Sequence, residues 1–171
     1  MMPDAGPIPQ PELAARSVGQ LRRLRIGVIA AVVAVLAGTA AAFGFVAWTS
    51  MAQAWPIILI IGEVLIGGIC LLQWWVWTRA RGYWQGRSRG QLAGLVNPSV
   101  GAHLVSWVVA AITWSVALAM IVDVGFASPS AWLAAVAAAA TVVAQLFGSA
   151  QHLRLAGPAD TIVPDFASRM P

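Results

Sequence analysis

All ten basic residues of this chain are arginines, and they fall within 1–25, 79–103 and 148–171. Long apolar stretches run between these segments, and the two remaining connections carry no basic residue. Arginine close to the end of a span resists translocation, because its charge is costly to carry through hydrocarbon. The pattern therefore predicts an all-α membrane protein: four transmembrane helices in an up-down bundle, with N- and C-termini cytoplasmic. A soluble alternative is excluded by composition. Only 9% of the residues are charged and 60% are hydrophobic, whereas a soluble domain carries about 25% charged residues.

About 20 apolar residues cross a hydrocarbon core of roughly 30 Å. On that measure the spans are expected at about 26–48, 56–78, 104–122 and 131–149, a four-helix unit over 26–149. Residues 1–25 are expected to be a cytoplasmic segment, Pro-rich at first and then a short amphipathic helix over Glu12–Arg25 lying on the inner leaflet. A cleaved signal peptide is the rival reading of the first stretch. Its 23 apolar residues exceed the 7–15 of a signal h-region and end at the interfacial Trp48.

Pro56 is placed at the first turn of the second span, where a missing N–H costs nothing. Trp74, Trp75 and Trp77 mark that span's inner edge, since indole rings prefer the headgroup boundary. The connection 79–103 contains five glycines and Asn97-Pro98, which argues against one long helix. Ser128-Pro129-Ser130 is a helix start signal. Residues 150–171 are expected to be an extended cytoplasmic tail, with Thr161–Phe166 able to act as a partner-binding strand.

Inside lipid, helices associate through close backbone approach rather than through the hydrophobic effect. The first span offers Ala30, Ala34, Gly38 and Ala42 at four-residue spacing, and the fourth offers Ala134, Ala138 and the run Ala137–Ala140. These faces are expected to pack within the bundle; the same ladder is also able to join two copies of the chain.

Glu63 is the one ionisable residue deep inside a span. At about 1.5 Å per residue it lies about 10 Å past Pro56, where an ionised carboxylate costs on the order of 2.5–3.5 kcal/mol. No basic residue lies within a span to pair with it, so Glu63 is expected to be protonated or hydrogen-bonded. Depth arithmetic brings Thr39, Thr113 and Thr141 to its level, giving an intramembrane polar layer of Glu63, Thr39, Thr113 and Thr141. Gln73 and Gln145 are placed to bond across helix pairs, and Cys70 shares the face of Glu63.

His103 and His152 both fall at the inner edge; paired haem ligands would lie within the spans, so they are read as interfacial residues. No metal-ligand cluster, phosphate-binding glycine loop or nucleophile–base pair appears, and neither an enzyme activity nor a cofactor is expected. Arg22, Arg23, Arg25, Arg79, Arg81, Arg87 and Arg89 are expected to contact anionic inner-leaflet lipids. Nucleic acid is not an expected partner, since it would require a basic, aromatic-interleaved face on a folded domain. The function expected from these features is contact: an accessory or assembly subunit of a larger membrane protein complex in the plasma membrane. The alternative is a small proton-coupled transporter or channel that uses Glu63.

Overall fold

The structure is a computed structural model that describes residues 11–48, 54–85 and 93–149. It consists of four helices: α1 (Pro11–Trp48), α2 (Ala54–Trp84), α3 (Ala93–Val124) and α4 (Pro129–Ser149). No strand occurs among the described residues. The helices alternate in direction, and each contains an apolar segment long enough to cross a membrane: Ser17–Phe45, Ala54–Gly82, Gly101–Val124 and Pro129–Gly148. The protein is thus a multi-pass membrane protein built as an up-down four-helix bundle.

The helices run further than their apolar cores. α1 is a single helix of 38 residues, so the segment Glu12–Arg25 is continuous with the first span rather than a separate surface helix. The physical reason is that arginine is a good helix former: Arg22, Arg23 and Arg25 mark a polarity boundary without interrupting the backbone. α2 likewise passes Arg79 and Arg81 to reach Trp84, and α3 begins at Ala93 and continues through Asn97-Pro98. Much of the segment 79–103 is therefore helical, despite its glycines.

The α3–α4 turn follows from its residues. Gly125 has φ 71°, and its N–H bonds the Ile121 carbonyl at 2.9 Å, a left-handed cap that glycine adopts without Cβ strain. Ser128 then caps α4: the Ser130 N–H donates to Ser128 Oγ at 3.2 Å. Pro129 fills the first helical position, where its lack of an N–H is harmless. Trp132 closes the turn by donating its indole N–H to the Phe126 carbonyl at 3.0 Å.

α1 and α4 pack through small residues. Ala30, Ala31, Ala34, Gly38, Ala41 and Ala42 are buried on α1, as are Ala131, Ala134, Ala137, Ala138 and Ala144 on α4. A Cβ at Gly27 would stand 3.1 Å from the backbone nitrogen of Gly148, so the two backbones almost touch there. The small-residue ladder is covered inside the chain and is not left for a second copy. Large side chains point outward instead, among them Leu36, Phe43, Ile57, Val64, Val108 and Leu146. This inside-small, outside-large arrangement suits a bundle solvated by acyl chains.

Candidate functional site

Glu63 is fully buried, with 0% of its surface exposed. Two features of neighbouring helices make room for it. Gly38 on α1 faces its side chain, and a Cβ there would stand 3.3 Å from Glu63 Cγ. Thr141 on α4 supplies the polar contact, its Oγ1 lying 2.8 Å from both Oε1 and Oε2 of Glu63. The same hydroxyl is 2.9 Å from the Ala137 carbonyl.

A threonine hydroxyl has one hydrogen to donate. An ionised Glu63 would leave that hydrogen shared between its two oxygens and the Ala137 carbonyl. A protonated Glu63 resolves the count: the carboxyl O–H donates to Thr141 Oγ1, and Thr141 donates to Ala137 O.

The layer around this pair is mixed. Thr113 is buried at the α2–α3 contact, but its hydroxyl donates to its own Val109 carbonyl at 2.8 Å. It packs against Gly62, where a Cβ would come 3.1 Å from Thr113 Cβ. Thr39 is half-buried beside Gly38 and makes no hydrogen bond to Glu63 among the described residues. Of the three threonines expected to meet the acid, the structure brings Thr141 onto it, seats Thr113 on the adjoining glycine, and leaves Thr39 to one side.

Apolar layers close the site above and below. Toward the Gly125 end lie Phe45, Leu59, Val116, Ala117 and Met120. Toward the arginine-bearing end lie Ala30, Ala31, Ile66, Cys70, Ala110 and Ala144. Cys70 is buried one helical face below the acid, its Sγ 3.8 Å from the Ala144 carbonyl.

A second polar chain crosses the α3–α4 seam. Gln145 Nε2 donates to Ser106 Oγ at 2.7 Å, and Ser106 Oγ donates to the His103 carbonyl at 2.7 Å. The Trp107 indole N–H donates to His103 Nε2 at 3.3 Å. Trp114 donates across the seam to the Ala138 carbonyl at 2.9 Å. Beside these bonds the seam opens into a groove of about 280 Å³ between Trp107, Trp114, Thr141 and Gln145. Thr141 therefore both holds Glu63 and lines this groove. Gln145 bonds across a helix pair; Gln73, also buried, finds no partner among the described residues.

The arginines Arg22, Arg23, Arg25 and Arg79 are exposed and Arg81 is half-buried, all at one end of the α1–α2 pair. The Arg79 guanidinium stacks 5.4 Å from the Trp75 ring centre. Arg87, Arg89 and His152, with the tail 150–171, lie outside the described residues. No group of three or more His, Cys, Asp or Glu side chains converges among the described residues.

The sequence marks Gly38 only as a step of the small-residue ladder and does not single out Gly62; these are the two positions that let Glu63 and Thr113 fit. The available signal was that each glycine adjoins a polar residue of the expected layer. These features define the class: a four-helix membrane bundle with one carboxyl sealed in its interior. No protein-family model, curated protein or solved structure matches the chain.

Proposed function

We propose that the protein acts by contact, as an accessory or assembly subunit of a larger membrane protein complex, in the plasma membrane with both termini cytoplasmic. The observation that carries this reading is the enclosure of Glu63: it is fully buried, bonded to Thr141, and bounded by apolar layers on both sides. A carboxyl held this way locks α2 to α4, as polar side chains do between membrane helices. A coupling group in a transporter needs access to water in turn from each side. The arginine cluster, read by the rule for charged span ends, is the basis for the cytoplasmic placement of the termini.

The second reading is a proton-coupled transporter or channel. Its supporting observation is the groove at Thr141, which brings the α3–α4 seam within one hydroxyl of Glu63.

One comparison separates the two. Wild-type protein and Glu63→Gln are purified from native membranes in mild detergent, copurifying proteins are identified by mass spectrometry, and each is reconstituted for proton flux. The contact reading predicts a stoichiometric partner and no Glu63-dependent flux. A chain that purifies alone and shows flux abolished by Glu63→Gln establishes the transporter instead.

A further inference from the structure

At the arginine-bearing end a row of side chains on α2 carries buried polar atoms with no partner among the described residues. Gln73, Trp77 and Arg81 are spaced by four residues, so they share one helix face and succeed each other by about 6 Å. Gln73 is 1% exposed and both atoms of its amide are unpartnered; Trp77 is 5% exposed and its indole N–H is unpartnered. Arg81 Nε is buried without an acceptor, although the residue itself is half-buried. On α1, Gln20 Oε1 is in the same condition. Gly38 beside Glu63, and Ala31 and Val35 beside Gly67, fix the register of the antiparallel pair. Carried down both helices, that register sets Gln20 level with Arg81.

Buried donors of this kind are rare in native proteins, because each loses its bond to water and gains none in return. Three of the unmet atoms are N–H donors in a strongly positive setting. Arg22, Arg23, Arg25 and Arg79 lie exposed at the same end of the α1–α2 pair, and no ion pair forms at these arginines within the described residues. Glu12 is the sole described carboxylate at this end, exposed on the first turn of α1. Those three donors fit a charged group rich in acceptors, a phosphate; the two unmet amide oxygens, Gln73 Oε1 and Gln20 Oε1, take no part in holding it.

We propose that Arg81 and Trp77 form the seat for the phosphate of an anionic phospholipid, with Gln73 as its floor. The half-buried guanidinium is the mouth of the site, and the indole N–H lies one turn deeper along the same face. Glycerol ester carbonyls lie deeper in a leaflet than the phosphate, and Gln73 Nε2 lies deeper in the bundle than Trp77. The ladder of donors thus matches the order of acceptors along a phospholipid, which free phosphate lacks.

The full chain in mild detergent is titrated with phosphatidylglycerol, phosphatidylcholine or inorganic phosphate, and bound species are counted by native mass spectrometry. One phosphatidylglycerol is expected to bind in preference to phosphatidylcholine. Trp77→Phe, which keeps the ring and loses the N–H, and Arg81→Gln should each weaken it about tenfold, as expected for loss of a bond to a charged group. Arg79→Gln and Arg22→Gln, which remove exposed charges outside the seat, should weaken it several-fold less than Arg81→Gln. Gln73→Leu should weaken the lipid, and inorganic phosphate should not bind. Equal losses for Arg81→Gln and Arg79→Gln would mean diffuse surface charge and overturn the seat, as would equal binding of the two lipids. Inorganic phosphate binding that depends on Trp77 and Arg81 but not on Gln73 would overturn the lipid as the ligand.

Discussion

Thr141 Oγ1 on α4 lies 2.8 Å from each carboxyl oxygen of Glu63 on α2, and among the described residues this is the one side chain-to-side chain hydrogen bond joining those helices. Thr141→Val keeps the shape and removes the hydroxyl, stranding the acid in an apolar bundle. The expected loss is about 1 kcal/mol: bonds between membrane helices are modest because the dissociated helices find other partners, while an orphaned buried group adds its desolvation cost. Pairing the change with Glu63→Leu removes both polar groups and should restore part of the loss. Reversible unfolding in mixed micelles measures both; a double variant less stable than Thr141→Val would contradict the account.

A proton on Glu63 lets every close contact of Thr141 Oγ1 be a hydrogen bond. Infrared spectroscopy at neutral pH should show a protonated carboxyl C=O stretch in the wild type that is lost in Glu63→Gln and shifted in Thr141→Val. Absence of that band in the wild type would mean an ionised carboxylate and a different bonding pattern around Thr141.

Close approach at Gly62 makes a second, independent prediction. A Cβ there would meet the Thr113 side chain, whose Cβ is 3.1 Å away, whereas Gly68 has nothing within 4 Å. Gly62→Ala should destabilise by about 1–3 kcal/mol, the usual cost of overpacking. Gly68→Ala should be neutral or slightly stabilising, because alanine is the better helix former. Equal stabilities for the two variants would show that α2 and α3 are not packed as described.

The arginine distribution also predicts topology. Reporter fusions at the two termini should give the same cytoplasmic signal, and a fusion at Gly125 the opposite one. A terminus found outside the cell would break the four-crossing account.

Four spans were legible in the sequence because hydrocarbon thickness imposes a length and arginine imposes a boundary. Helix ends were not, since the backbone continues wherever propensity allows: α1 absorbs Arg22–Arg25, and α3 includes Asn97-Pro98. Glu63 was legible as an isolated acid, and depth alone selected Thr141 with two other threonines. Choosing among them required rotation about each helix axis, which depth does not encode; Thr113 turns toward Gly62 and Thr39 past Gly38. Gln145 and Gln73 looked equivalent on the same ground. Ser106 happens to face Gln145, while Gln73 is left with unmet bonding capacity.

Access to position 63 tests the sealed carboxyl most directly. Cys70 is the only cysteine, so Glu63→Cys in a Cys70→Ala background gives one reporter thiol. In intact membranes it is treated with a membrane-impermeant maleimide from each side in turn. The account predicts no labelling from either side until the bundle is unfolded; rapid labelling of the folded protein from either side would contradict it and place Glu63 in an aqueous path.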